Sequence, residues 1–380
     1  MSYNQNVIDG MLPDPGLPEQ EACSFPPGKN RLRTTVAMGE MSIAGVYRKS
    51  TDDLTFIIPY ATAPTRYESL KAVVAWIIST TSAKIILMSA ENEESFNAWI
   101  SPKLQYFNSQ SAGLPLRWSQ YCDRDPQHAV DMLKSQLLVD ICTSFFGGYT
   151  LKSQFGLTLW EDERLLREFS NRVKLMIQPR APGEPFHRTK YLNKMLDQVQ
   201  TQIVCNHDAD TLLTSHAVMT SVSYINMGYA DAVYPYSRSL QSQQRVFFQE
   251  SSPPGPLNAL IVTGDMSPLL NEGIQVMPSP AAYGQSIFFK TSSYKSIGGE
   301  NEEFVGWGPE DLERYSRAVK LGLAVCRVDS PIVHLEHPPG AGNPEGLESN
   351  KKLYDELSKK SPDELRRYYD SVEYKKDYWW

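Results

Sequence analysis

The feature that most constrains the fold is a strand–helix–strand pattern in the first third of the chain. Residues 52–60, DDLTFIIPY, form an apolar run of strand length that is interrupted at Pro59. Residues 66–80 carry apolar side chains at helical spacing, and residues 84–89, KIILMS, form a second apolar run. Such a unit joins two parallel strands through a right-handed crossover. The pattern therefore predicts an α/β fold.

The same alternation continues along the rest of the chain. Strands are predicted at residues 173–177, 203–205, 231–236, 286–290, 323–328 and 332–337, and helices at 127–142, 188–200, 212–222, 291–297 and 310–320. This order is typical of a Rossmann-like domain with a mainly parallel sheet flanked by helices. We place an N-terminal arm at 1–50, one main α/β domain at 51–340 and a helical tail at 341–380. Residues 237–261, which contain SSPPGP, are interpreted as an insertion or linker.

Composition excludes several classes of protein. The formal net charge of −7 argues against a nucleic-acid-binding protein. The five cysteines are scattered without a CxxC pair, which favours reduced thiols over a disulfide framework or a structural zinc site. The sequence contains neither a secretory leader nor an apolar run of about 18 residues. We therefore expect a cytoplasmic protein without a membrane span.

The strand predicted at 203–205 is followed by Asp208-Ala209-Asp210. Two carboxylates one residue apart at the end of a buried strand can hold a divalent cation through oxygen. The alternative is a solvated acidic turn, which is the commoner meaning of an isolated Asp-x-Asp. Other polar segments also follow strand ends or open a helix, where ligands of open α/β sheets bind. They are residues 59–66, 89–93, 304–313 and 334–337.

Taken in order, these motifs resemble those of the inverting GT-A glycosyltransferases. The likeness is nearest to the β-1,4-galactosyltransferases and the bacterial chondroitin polymerases, and it covers roughly residues 54–340. The motifs that carry it are IIPY with RYESL (57–70), PFHRTKYLN (185–193), the Asp-Ala-Asp, SIGGENEEFVGWGPEDLE (296–313) and HLEHPPG (334–340). The Trp-Gly-x-Glu-Asp element is the most specific of them.

The resemblance implies a site for a nucleotide-sugar donor and Mn²⁺, or Mg²⁺. It assigns Asp210 to the metal and Asp208 to the metal or to ribose and sugar hydroxyls. Either His334 or His337 completes the coordination, and the sequence does not choose between them. Arg188 would hold the donor diphosphate, because a guanidinium suits bidentate phosphate contacts. The remaining donor-binding residues implied are Pro59, Arg66, Glu91 and Asn193.

On the acceptor side, the resemblance assigns Asp311 as the general base that takes the proton from the attacking hydroxyl. Aspartate rather than asparagine at this position favours inversion. Glu310 would bind sugar hydroxyls, Trp307 would offer an apolar face to a sugar ring, and Gly308 would allow close approach or a hinge. The alternative for the acids is that they only complement the dipole at the start of a helix.

The resemblance thus predicts a metal-dependent inverting glycosyltransferase. It would move a sugar from a nucleoside-diphosphate sugar, more specifically a UDP-sugar, to a hydroxyl of a glycan or glycoconjugate. The alternatives are a retaining transferase of the same fold and a catalytically silent sugar-binding or nucleotide-binding protein. A two-metal phosphodiesterase is disfavoured by the acidic balance and by the lack of a second carboxylate cluster. The donor sugar, the acceptor and the oligomeric state stay open.

Overall fold

The structure of the protein is a computed structural model. It describes residues 51–91, 126–145, 169–181, 183–237, 243–247, 275–276, 283–336 and 346–378. The arm predicted at residues 1–50 lies outside this part of the chain, and so does His337. None of the helices in the described part combines the length and the hydropathy that crossing a bilayer requires.

The central element is a seven-stranded sheet. Its strands are β1 (Leu54–Ala61), β2 (Lys84–Glu91), β3 (Val173–Pro179), β4 (Ile203–His207), β6 (Ala232–Tyr234), β9 (Ser286–Lys290) and β10 (Val325–Arg327), in the spatial order β10-β6-β9-β4-β1-β2-β3. Strand β1 is parallel to β2 and β4, β2 is parallel to β3, and β6 is parallel to β10. Strand β9 is antiparallel to both of its neighbours. The prediction of a mainly parallel sheet is confirmed.

Helices connect the strands and cover the sheet. They are α1 (Pro64–Thr80), α2 (Pro126–Phe145), α3 (Arg188–Asp197), α4 (Ser215–Asn226), α5 (Thr291–Ser296), α6 (Glu310–Lys320), α7 (Leu347–Ser358) and α8 (Pro362–Ser371), and a 3₁₀ turn follows at Glu373–Asp377. Strand β1 and helix α1 form the middle of the core, and the side chains of Phe56 and Trp76 are fully buried. Burial on both faces of the sheet explains why the sequence of β1 is a nearly continuous apolar run.

A second, four-stranded sheet corrects two predictions. It contains β5 (Thr211–Leu213), β11 (Ile332–Glu336), β7 (Gln243–Phe247) and β8 (Gln275–Val276), in the order β5-β11-β7-β8. The helix predicted at 212–222 is therefore wrong at its start, because residues 211–213 are a strand and the helix begins at Ser215. The linker predicted at 237–261 contains strand β7, which pairs with β11. Strands this short form through partners distant in sequence, which local patterns do not reveal.

The C-terminal segment packs against helix α6 and the loop that precedes it. Its apolar residues form a cluster with a residue of the loop before α6, and the members are Phe304, Tyr354, Leu357, Leu365 and Tyr369. The Tyr369 hydroxyl also donates to Glu313 Oε1 at 2.7 Å. Helix α8 begins with a complete capping box between Ser361 and Glu364. The tail thus supports the loop and the helix that carry the predicted acceptor residues.

The cysteine prediction is wrong at one position. Cys326 is disulfide-bonded, whereas Cys205 is a buried free thiol. The scattered spacing of cysteines in a sequence does not exclude a bridge, because pairing depends on the distance between the residues in the fold.

Candidate active site

The Asp-Ala-Asp turn is held in place by the histidine that precedes it. His207 ends strand β4, is fully buried, and stacks on the Trp76 ring. Its Nε2 lies 2.9 Å from the carbonyl oxygen of Thr211, and its Nδ1 lies 3.0 Å from Ser286 Oγ. Burial lowers the pKa of His207 to about 4, so its ring is neutral at pH 7. His207 therefore fixes the two ends of the turn that presents Asp208.

Arg188 joins the Asp-Ala-Asp turn to the start of helix α6. Its Nη2 lies 2.8 Å from Asp208 Oδ1, and its Nη1 lies 3.2 Å from Asp311 Oδ1. Burial opposes the charge on this guanidinium, but the two carboxylates outweigh burial and raise the pKa of Arg188. Two acids separated by about a hundred residues in the sequence therefore share one cation.

The pKa values of Asp208 and Asp311 are shifted in opposite directions. Burial raises the pKa of Asp208, against the opposing effect of Arg188 and with a further contribution from Asp210. Burial would also raise the pKa of Asp311, but Arg188 and Arg314 outweigh it and lower that pKa. Asp311 is thus kept ionised, which is the state that a general base needs.

Arg314 supports Asp311 from inside the protein. Its Nη2 lies 2.8 Å from Asp311 Oδ1 and donates to the Tyr283 carbonyl oxygen at 3.1 Å. Its Nη1 lies 2.8 Å from Glu300 Oε1, which also accepts from the Tyr294 hydroxyl and from Asn206 Nδ2. Arg314 and Glu300 are both about 1% exposed. This buried pair ties the first turn of α6 to the end of β4.

Glu310, the first residue of α6, lies next to Asp311 and is 7% exposed. Its Oε2 is buried without a hydrogen-bond partner among the described residues. Burial and the neighbouring Asp311 charge raise the pKa of Glu310 to about 8. The adjacent acids therefore differ in protonation at pH 7, with Glu310 neutral and able to donate a hydrogen bond.

Asp210 and His334 meet through the second sheet. In the β5–β11 pairing His334 lies opposite Thr211, and Leu335 N–H donates to the Asp210 carbonyl at 2.7 Å. His334 Nε2 then lies 3.6 Å from Asp210 Oδ1. A carboxylate oxygen and an imidazole nitrogen at this separation suit one Mn²⁺ ion. Within the described ranges, no group of three or more His, Cys, Asp or Glu side chains is arranged to hold a metal.

Two protein ligands, Asp210 and His334, are enough for a divalent cation that also binds the phosphates of a substrate. A divalent ion that acts on phosphates is commonly held by one or two carboxylates together with oxygens of the substrate, rather than by a complete protein cage. The choice between His334 and His337 is unchanged, because His337 lies outside the described residues.

Three other predicted donor-binding residues, Pro59, Glu91 and Arg66, lie on β1, β2 and α1. Pro59 and Glu91 lie near the carboxyl ends of adjacent strands β1 and β2, where ligands of such sheets bind. Glu91 is buried and accepts hydrogen bonds from Thr62 and Ser89. Arg66 lies in the first turn of α1.

Asn193 is not in the Arg188 cluster. Its Nδ2 donates to the Glu300 carbonyl and to Glu302 Oε1, both at 2.9 Å, and its Oδ1 accepts from Glu300 N–H at 2.8 Å. Because the amide is fully used by the loop before α6, its role in the structure is to join that loop to α3.

The loop before α6 exposes Trp307, of which 51% is accessible to solvent. Its backbone is held by the tail, because Asn350 Nδ2 donates to the carbonyl oxygens of Val305 and Trp307 at 2.9 and 3.2 Å. A Cβ atom at Gly308 would lie 2.7 Å from Asn350 Cβ. Gly308 is therefore required for close contact with α7, while about half of the Trp307 side chain stays accessible to solvent.

Arg314, Asn350 and Gln285 lie in this site and are not among the residues predicted from the sequence. Arg314 follows Asp311 by three positions on one helix, a spacing at which side chains meet, so it was detectable. Asn350 and Gln285 carry no such local signal. Gln285 accepts a hydrogen bond from Asp208 N–H at 2.8 Å through its carbonyl oxygen.

Residues 276–338 match a family model described as the N-terminal domain of galactosyltransferase. A search of curated proteins gives no significant match. The matched segment contains β9, α6, β10 and β11. The family match supports a glycosyltransferase.

Three solved structures are similar at low identity. The mannosyltransferase PcManGT from Pyrobaculum calidifontis, in complex with GDP-Man and Mn²⁺, is 14% identical over 84% of this chain and 68% of its own, with a TM-score of 0.38. TarS 1–349 from S. aureus is 8% identical over 82% and 68%, with a TM-score of 0.38. GalNAc-T7 with UDP, GalNAc and Mn²⁺ is 12% identical over 83% and 49%, with a TM-score of 0.44. Likeness at this level does not bear on donor or acceptor.

Proposed function

We propose that the protein is a metal-dependent, inverting glycosyltransferase. It moves a sugar from a nucleoside-diphosphate sugar, specifically a UDP-sugar, to a hydroxyl of a glycan or glycoconjugate acceptor. The observation that carries the proposal is the position of Arg188, which contacts both Asp208 and Asp311. The guanidinium that would bind a diphosphate, the Asp-x-Asp and an ionised carboxylate therefore lie in one cluster.

Asp311 acts as the general base. Its carboxylate takes the proton from the acceptor hydroxyl while that oxygen attacks the anomeric carbon of the donor, and the nucleoside diphosphate leaves from the opposite face. Because one displacement occurs, the anomeric configuration inverts. Support for this role comes from Arg188 and Arg314, which lower the pKa of Asp311.

The donor diphosphate is held by Arg188 together with the residues of the metal site. Asp210 and His334 would hold Mn²⁺, with Asp208 beside them. The cation, when bound, offsets the negative charge that grows on the departing diphosphate. Arg188 binds the same group through two parallel N–H donors, which exchanges one of its carboxylate partners for phosphate oxygens.

Glu310 and Trp307 receive the sugars. A neutral Glu310 donates one hydrogen bond to a sugar hydroxyl and accepts another. An ionised carboxylate would only accept. The exposed Trp307 ring gives an apolar face for the acceptor. Trp307 and Glu310 lie four positions and one position before Asp311 in the sequence, which supports assigning both to the acceptor side.

The first experiment measures donor binding. In a thermal-shift panel with Mn²⁺, at least one nucleotide sugar should raise the melting temperature of the protein, because a ligand that binds only the folded state stabilises it. Asp210→Ala should abolish the Mn²⁺-dependent part of that binding in calorimetry. Asp363→Ala, which changes an exposed aspartate on α8, is the matched control. Unchanged UDP and Mn²⁺ binding in Asp210→Ala would refute the metal assignment.

The second experiment decides the stereochemistry. Proton NMR of the first product formed shows whether the new bond has the opposite anomeric configuration to the donor. Retention would replace the single displacement with the mechanism of a retaining transferase. A donor that binds but is neither transferred to an acceptor nor hydrolysed would instead indicate a catalytically silent sugar-binding protein of the same fold.

A further inference from the structure

Gln285 has a backbone conformation that disfavours its side chain. Its φ angle is 67°, and no other non-glycine residue in the described ranges has a positive φ. Glycine adopts this left-handed region freely, whereas a residue with a Cβ atom is strained there. Strain of this kind persists where the surroundings enforce it, and it concentrates at functional sites.

The turn that contains Gln285 lies between two acids of the active site. The Gln285 carbonyl accepts from Asp208 N–H at 2.8 Å. The residue before it, Gly284, lies so close to Asp311 that a Cβ atom there would be 2.5 Å from Asp311 Oδ2. The Gly284 carbonyl in turn accepts from the Tyr236 hydroxyl at 2.6 Å. The backbone is therefore fixed on both sides, which explains how the strained conformation is maintained.

The side-chain amide of Gln285 lacks a partner. Its Oε1 atom is shielded from solvent and has no hydrogen bond to any described residue. A buried amide oxygen without a donor is unfavourable and rare, and such atoms in native proteins are commonly satisfied by a ligand or water. Glutamine at this position thus carries two costs, backbone strain and an unsatisfied oxygen, and glycine would carry neither.

We propose that Gln285 is a specificity-determining residue that binds a hydroxyl of the transferred sugar. The inference rests on the proposed function, because it takes the donor to lie between the metal side and the base. The anomeric carbon must then lie between Asp208 and Asp311, where residues 284 and 285 are placed. An ionised diphosphate offers only acceptors to an amide oxygen, whereas a sugar hydroxyl donates a proton and satisfies it.

The test compares binding of a nucleotide sugar with binding of its free nucleotide. The nucleotide sugar is the one that stabilises the wild type most among UDP-glucose, UDP-galactose, UDP-GlcNAc, UDP-GalNAc and GDP-mannose with Mn²⁺. Gln285→Gly removes the amide and the strain together, so its melting temperature should equal or exceed that of the wild type. Its affinity for the nucleotide sugar should fall roughly tenfold, the effect of one hydrogen bond. Its affinity for the free nucleotide should not change.

Gln285→Ala separates the two effects. It removes the amide but keeps the Cβ atom, so it should lose the same nucleotide-sugar affinity while melting below Gln285→Gly. Equal affinities of wild type and Gln285→Gly for the nucleotide sugar would overturn the inference. An equal loss of nucleotide-sugar and free-nucleotide binding would also overturn it, because the amide would then serve the nucleotide or the metal. If no member of the panel binds the wild type, the proposed function itself fails and this inference with it.

Discussion

Arg188 and Asp311 are 123 residues apart in the sequence, and Arg188 Nη1 lies 3.2 Å from Asp311 Oδ1. The ion pair joins the first residue of α3 to the first turn of α6, while the same guanidinium also contacts Asp208. In the free protein, the side chain suited to a diphosphate thus neutralises the two carboxylates nearest to it. If Arg188 holds the donor diphosphate, as we propose, donor binding exchanges these partners and changes the electrostatic environment of Asp311.

Replacing Arg188 should affect both binding and pH dependence. Arg188→Gln should lower the affinity for the nucleotide sugar roughly 10- to 100-fold, because charge-assisted hydrogen bonds to phosphate are lost. It should also move the acidic limb of the kcat/KM profile to higher pH, since Arg188 lowers the pKa of Asp311. Lys190→Gln removes an exposed cation from the same helix and is the control. An unshifted acidic limb would mean that Asp311 is not the titrating base.

Replacing Asp311 should separate donor binding from chemistry. Asp311→Asn keeps the shape and the hydrogen-bonding capacity but removes the base, so transfer should fall roughly 10²- to 10⁴-fold. Donor affinity measured by calorimetry should stay near that of the wild type, because Arg188 remains available to the diphosphate. Asp363→Asn on the protein surface controls for the substitution itself. Substantial turnover by Asp311→Asn would exclude the assigned role.

Glu310 should make stability depend on pH in a defined direction. Its folded pKa of about 8 is above the ordinary value of 4.5. The stability that this group contributes is therefore complete below about pH 4.5 and is lost as the pH rises through 8. Each unit of pKa shift corresponds to about 1.4 kcal/mol. Glu310→Gln stays neutral, so its melting temperature should increasingly exceed that of the wild type between pH 5 and 8.

The control for Glu310 is Glu356→Gln, an exposed substitution on α7. Its melting temperature should follow that of the wild type at every pH. A constant difference between Glu310→Gln and the wild type across this range would contradict an elevated pKa at Glu310.

Asn350 should matter for the acceptor although it lies in the C-terminal tail. Asn350→Ala leaves the carbonyl oxygens of Val305 and Trp307 without their donor, which should cost about 1–3 kcal/mol in the free energy of unfolding. The loop that carries Trp307 would lose its anchor, so the KM for the acceptor should rise while donor affinity is unchanged. Ser349→Ala, at the neighbouring exposed position, is the control. A donor-binding defect equal to the acceptor defect would indicate general unfolding instead.

Parts of this site were predictable because their signals are local. Strand β9 and helix α6 have the predicted bounds, since apolar runs and helical spacing act within a few residues. The motifs around Asp208, Arg188 and Asp311 could be selected one by one. Their mutual distance could not be obtained, because it depends on the order of the strands in the sheet.

Local sequence patterns were sufficient to predict the alternation of strands and helices, the mainly parallel sheet and the residue types available for chemistry. Only the tertiary structure brought Asp210 to His334 through the β5–β11 pairing, engaged Asn193 in the loop before α6, and forced Gln285 into a left-handed backbone. The difference arises from how far apart in the sequence the interacting residues lie. Periodicity and backbone sterics act between near neighbours, whereas pairing, strain and pKa values arise from residues that meet only when the whole chain is packed.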